Sequence, residues 1–288
     1  MSTREDEGEI MNVKTLIIIS APQSDEIKFI LGQLVQDPDS MLTSIQTEDV
    51  IYYEPSKKEF AYLEGHFKRL LNSVEFFSNN PEFLENNFIK CLTKLQNINN
   101  HFENLLLDAI KEHSKLGENV KQIVKLCVDK DGEFSFFFRK FEPIIAEPVE
   151  IILDNQQSVS SDNIFLYHKT TNRDIYNEAR NRRLLNNNKY GNLFDVLLYN
   201  EKKQITECTI TNIAVEFYIN NEQKSIWKTP KIECGLLPGV LRDYLIKNNE
   251  LIPDIITIDD IKLAQKENRK IKCFNSVRGE FQAIIIIE

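Results

Sequence analysis

The sequence predicts a mixed α/β (α+β) protein in two halves, and three observations predict it. Short runs rich in β-branched and aromatic residues alternate with segments whose apolar positions repeat at helical spacing. The polar, aperiodic stretch at 154–162 (DNQQSVSSD) interrupts that alternation near the middle of the 288 residues, where a linker belongs. The apolar fraction, 42%, is that of a globular chain with a real core. The reading is a disordered N-terminus over 1–11, an N-terminal α/β domain over 12–153, a linker at 154–162 and a C-terminal α/β domain over 163–288.

Each element has its own warrant. Residues 13–20 (VKTLIIIS) read as a buried strand and 25–36 as an amphipathic helix. Residues 40–53 are strand-like through their Thr, Ile and Val content. Over 64–77, Phe67, Leu70, Leu71 and Val74 fall on one helical face. An Asn-rich helical insertion over 79–115 follows Asn80-Pro81, a helix-start signal. Runs at 122–128 and 133–140 flank Asp131-Gly132, the strongest hairpin signal in the chain. Beyond the linker, 173–183 read as a helix, and 195–199 and 204–206 as strands around a polar turn. Further strands are expected at 212–219 and 225–228, a helix over 239–248 entered through Leu237-Pro238-Gly239, and a final buried strand over 281–287.

Composition narrows the function. A net charge of −9 argues against an electrostatic grip on nucleic acid or anionic lipid. The N-terminus is acidic and polar, unlike a secretory signal, and no apolar run approaches a membrane span of roughly 20 residues. Cys91, Cys127, Cys208, Cys234 and Cys273 are odd in number and form no CxxC, so neither disulfides nor a metal site is expected and the cytoplasm fits best. No GxGxxG or GxxxxGK[ST] occurs, which removes the main support for a nucleotide fold.

Five places carry candidate chemistry. Lys169 follows an aromatic and apolar segment, read as a strand end, just ahead of a helix; partial desolvation there makes an amine nucleophilic. By itself such a lysine is more often a surface side chain. Glu207 lies among small hydroxyl and apolar residues directly before a strand, suited to hold a protonated pyridine nitrogen or simply to serve a turn. The Pro-Gly turn at 238–239 opens a helix, and the amides of Val240 and Leu241 are natural donors to a phosphate. His66 and Arg69 share a helix face, where an arginine pairs bidentately with phosphate or faces solvent. Asn275-Ser-Val-Arg-Gly279 is an anion-binding turn or an ordinary one.

Taken in order, these residues resemble a known family. HKTTNRDIYNEAR (168–180), ITECTITNIAVEF (205–217), KTPKIECGLLPGVLRDYLI (228–246), NSVRG (275–279) and LEGHFKRLLNSVEFF (63–77) look like the motifs of the fold-type IV pyridoxal phosphate enzymes, which include branched-chain and D-amino-acid aminotransferases. Within that class the likeness is greatest to fungal-type aminodeoxychorismate lyases. The resemblance implies two α/β domains with pyridoxal 5′-phosphate between them, assembled as a homodimer. Lys169 would form the Schiff base and carry the proton, and Glu207 would meet the pyridine nitrogen. Arg69, the amides of Val240 and Leu241, and the turn of Asn275, Ser276 and Val277 would bind phosphate. Thr43 and Ser44, on an active-site strand TSIQ, with Arg173, Tyr176 and Arg278, would face cofactor or substrate. Leu241 and Val277 stand where relatives often carry threonine. The strand at 13–20 precedes the usual start of the fold, and the segment at 79–115 is longer than in bacterial relatives.

The implied reaction takes 4-amino-4-deoxychorismate to 4-aminobenzoate and pyruvate in folate synthesis. An aminotransferase of the same fold would share the cofactor residues, and a cofactor-binding protein without turnover is the reading from a different class.

Overall fold

The computed structural model describes residues 13–19, 27–31, 46–80, 88–98, 101–129, 132–144, 147–185, 193–219 and 225–288. The chain divides into two compact units, Met1–Glu142 and Pro143–Glu288.

The first unit contains strands β1 (Val13–Ile19), β2 (Ile27–Leu31), β3 (Thr47–Glu54), β4 (Glu59–Phe60), β5 (Gln122–Val128) and β6 (Phe134–Lys140). They form one antiparallel sheet in the order β2-β1-β6-β5-β3-β4. Helix α1 (Leu63–Asn79) packs on β3 and on α2 (Phe88–Asn97), and α3 (Phe102–His113) follows. The expected apolar stripe of α1 is its buried face, with Phe67, Leu70, Val74 and Phe77 inside and Phe67 against Phe102 at 4.8 Å between ring centres. The expected hairpin forms: β5 and β6 pair from Gln122–Lys140 to Val128–Phe134, and Gly132, at φ 75°, takes the left-handed position that closes it.

The second unit contains β7 (Val149–Leu153), α4 (Asp174–Arg180), β8 (Asp195–Tyr199), β9 (Ile205–Cys208), β10 (Asn212–Tyr218), β11 (Ser225–Pro230), α5 (Val240–Lys247), β12 (Ile252–Asp254), α6 (Ile258–Lys266), β13 (Ile271–Asn275) and β14 (Gly279–Ile286). One mixed sheet runs β12-β11-β10-β13-β14-β7-β8-β9, with β11/β12, β14/β7 and β7/β8 parallel. Strand alternation sends side chains to two cores. Ile151, Leu153 and Leu197 join the cluster that contains Ile261 of α6, whereas Ile152, Val196 and Leu198 join Tyr176 and Ala179 of α4. Leu241 and Leu245 of α5 pack on Ala214 and Phe274. Cover on both faces along β7 and β8 explains why these strands are apolar with little alternation.

Several expectations are corrected. The division falls between Glu142 and Pro143, not at 154–162. Strand β7 pairs with β14 and β8, and the stretch after it stays in the same unit: Asp154 is buried, and Val159 bridges Asn200. Polarity there reflects fixed hydrogen bonding rather than a free linker. Within 25–36, β2 replaces the expected helix because its backbone pairs with β1. The insertion at 79–115 contains two helices, α2 and α3. The final strand is buried on one face only, since Phe281, Ala283 and Ile285 point inward while Ile284 is half exposed. Strands β4, β7, β12 and β13 and helix α6 escape the sequence reading, although Thr257 and Asp260 form a capping box at the start of α6. Residues 1–11 lie outside the described residues.

Candidate active site

The site of the second unit is built around a buried acid. Glu207, on β9, is 5% exposed. Its Oε1 accepts hydrogen bonds from the Tyr176 hydroxyl at 2.7 Å and the Leu237 amide at 2.9 Å, and its Oε2 from Asn212 Nδ2 at 3.0 Å. Burial pushes its pKa up from 4.5 to about 7, against the downward pull of the Leu237 amide, the Tyr176 hydroxyl and the charges of Arg173 and Lys169. Glu207 is thus a carboxyl poised to exchange a proton near neutrality. Tyr176 remains a donor, because burial and the neighbouring Glu207 raise its pKa well above 10.0.

Lys169 is half-buried. It does not end a strand: a 3-10 turn, Ile164–Leu166, precedes it, and irregular backbone leads on to α4. Its electrostatic influence on Glu207 joins the two residues that the sequence singled out first. Its neighbour His168 is held neutral near physiological pH, its pKa lowered to about 4 by burial. Arg173 caps the approach from α4, with its guanidinium 4.7 Å from the Tyr176 ring centre and its Nη2 donating to the Thr209 carbonyl at 2.6 Å. The helix itself is shorter than expected, passing at Asn181 into a π-helical turn, Asn181–Leu185.

The turn between β9 and β10 is held by Asp195, a residue that sequence reasoning missed. Its fully buried carboxylate accepts from the amides of Thr209 and Ile210, both at 3.1 Å, from the Thr209 hydroxyl, and from the Thr211 hydroxyl at 3.2 Å. The Val196 amide donates to it at 2.8 Å, and Arg180 Nη1 lies at 3.3 Å. The only sequence signal was an acid at the head of a buried apolar run, DVLLY. The same turn reaches the Asn275 segment, where Asn275 Nδ2 donates to the Ile210 carbonyl at 3.1 Å. Asn275 Oδ1 accepts from the amides of Val277 and Arg278 at 3.1 and 2.8 Å, which fixes the turn carrying Ser276. The Arg278 guanidinium lies 6.0 Å from the Phe194 ring centre.

Helix α5 starts where expected. Gly239 is its N-cap, and no side chain caps it, leaving its first amides directed out at the positive end of the helix. Val240 and Leu241, its first two residues, are buried.

In the first unit, Arg69 clamps Asp49 with Nη2 at 2.6 Å and Nε at 3.1 Å, and His66 Nδ1 lies 2.6 Å from the same carboxylate. The shared helix face of His66 and Arg69 therefore meets a buried acid. Burial by itself would raise the Asp49 pKa, but the charges of Arg69 and His66 and their hydrogen bonds hold it well below the carboxylate range. Thr43 and Ser44 lie outside the described residues. Among the described residues no three His, Cys, Asp or Glu side chains gather to hold a metal ion, and no helix is long and apolar enough to cross a membrane.

Residues 51–282 match the model of the family described as amino-transferase class IV. The chain belongs to the class IV amino-transferase family. Its architecture is that of the fold-type IV enzymes. A Schizosaccharomyces pombe protein named "Putative aminodeoxychorismate lyase" is 34% identical over 192 residues, which is 65% of this chain and 74% of that one. A Mesorhizobium loti protein described as a "Putative amino-acid aminotransferase" superposes with a TM-score of 0.64 at 25% identity, covering 84% of this chain and all of the other. The 4-amino-4-deoxychorismate lyase of Pseudomonas aeruginosa shares the fold, with a TM-score of 0.60 at 12% identity over 89% of this chain and 88% of its own.

Proposed function

We propose that this class IV chain binds pyridoxal 5′-phosphate and acts as an aminodeoxychorismate lyase. The observation that carries the cofactor is Glu207: a buried carboxyl with a pKa of about 7, oriented by three donors and within the electrostatic reach of Lys169. The donor set fits the group. Glu207 suits a pyridine nitrogen, and the uncapped start of α5 and the Asn275 turn suit a phosphate. When bound, pyridoxal phosphate supplies an electron sink. Lys169 would hold the cofactor through its amine, and its Nζ would take and carry the proton of the amine-bearing ring carbon of the substrate. Glu207 keeps its proton at the pyridine nitrogen, and Tyr176 keeps Glu207 in place. Lys169 would return that proton to the departing enolpyruvyl group, which leaves as pyruvate while the ring becomes aromatic, and the aromatisation drives the reaction. Arg173 and Arg278 are the cations proposed for the substrate carboxylates.

The likeness to the Schizosaccharomyces pombe protein favours the lyase; the likeness to the Mesorhizobium loti protein supports an aminotransferase as the second reading. Purified protein given aminodeoxychorismate should produce 4-aminobenzoate fluorescence with no 2-oxo acid present. Conversion only when 2-oxoglutarate and an amino donor are supplied would transfer the proposal to the aminotransferase. In either case Lys169→Ala should abolish the visible absorption band of the cofactor-loaded protein, and an unchanged spectrum would remove Lys169 from its role.

A further inference from the structure

We infer that Asn212 is a positioning residue that sets the distance between the two ends of the cofactor cradle, and that Gly239 is glycine to make room for it. The inference rests on the pyridoxal phosphate reading above. Asn212, the first residue of β10, is 6% exposed. Its Nδ2 is shared between Glu207 Oε2 at 3.0 Å and the Leu237 carbonyl at 3.2 Å. Leu237 answers through its amide, which donates to Glu207 Oε1 at 2.9 Å. Glu207, Asn212 and Leu237 thus close a ring of three hydrogen bonds. The acid proposed for the pyridine nitrogen is one member of that ring, and the segment running into α5, proposed for the phosphate, is another.

Gly239 seals the arrangement by its size. Its φ of −61° suits any residue, so conformational freedom is not the reason for glycine. A Cβ there would stand 1.9 Å from Asn212 Oδ1 and 3.1 Å from Asn212 Cγ. No real contact is that short, so an alanine must push the amide out of the ring or push the start of α5 away from it. One side chain therefore ties Glu207 to the segment that leads into the helix start. A ligand touching one end feels only that end; a ligand spanning both needs the spacing.

Affinity measured with two probes tests this. Wild type, Asn212→Ala, Gly239→Ala and the double variant are freed of cofactor and titrated with pyridoxal phosphate and with pyridoxal, which lacks the phosphate, by the visible band. Thermal unfolding of each variant is followed in parallel. Asn212→Ala should weaken pyridoxal phosphate by about tenfold or more, the size of a lost hydrogen bond to a charged group. It should weaken pyridoxal much less, so the preference for the phosphorylated form shrinks. A variant that is merely less well folded would lose both ligands by the same factor. Gly239→Ala should also lose affinity for pyridoxal phosphate, and the double variant should bind no worse than Asn212→Ala, because the added methyl enters space that the amide has left. An unchanged preference in Asn212→Ala, or losses that simply multiply in the double variant, overturns the inference while leaving the cofactor reading intact. Absence of any band in the wild type overturns both.

Discussion

Replacing Glu207 by Gln should change how the cofactor-free protein responds to pH. In the folded chain this carboxyl titrates at about 7 instead of 4.5, chiefly because burial disfavours its charge. Ionising it in the folded chain is therefore harder than in the unfolded chain by about 3 kcal/mol. The folded pKa is the raised one, so the associated stability is complete below the unfolded value, is lost as pH rises through about 7, and is constant beyond. Across the practical window from about pH 5.5 to about pH 8.5, wild type should lose about 2 kcal/mol from this group. Glutamine has the same shape and no such titration. Urea unfolding of both proteins, stripped of cofactor, at points across that window gives the difference in stability. That difference should move in favour of Glu207→Gln by about 2 kcal/mol as pH rises. Parallel curves would refute the reasoning, since they would mean that Glu207 does not hold its proton more tightly when folded.

Two other outcomes follow from the packing. Asp49→Ala leaves Arg69 and His66 without their buried anion and should lower unfolding free energy by about 3–5 kcal/mol in urea at neutral pH. The wild-type contribution is present above the unfolded pKa of 3.8 and is lost only as pH falls through the depressed folded value, so the variant's deficit should shrink in strong acid. Gly235→Ala places a side chain at φ 95°, with its Cβ 3.1 Å from Leu166 Cδ1 and 3.2 Å from the Ser161 backbone. A loss of about 1–3 kcal/mol is expected and is read as a lowered melting temperature.

The sequence determined what local chemistry can determine. The stripe of α1 follows from Phe67, Leu70 and Val74 at helical spacing, the β5–β6 hairpin from Asp131-Gly132, and the start of α5 from Pro238-Gly239. Lys169 and Glu207 were legible as candidates, but only in company, because a lone lysine or acid in such a setting is ordinary. What tertiary structure decided was everything that depends on partners distant in the chain. Asp195 looks like any acid before a strand until the amides of Thr209 and Ile210 turn toward it. Asn212 reads as a turn residue until Leu237, 25 positions on, supplies the other side of its amide. Asp154 reads as part of a linker until it is buried beside Arg182. Even the pKa of Glu207 belongs to this class: removal from water by the surrounding sheet and helices, which no spacing in the sequence encodes, turns an ordinary acid into one that trades protons near neutrality.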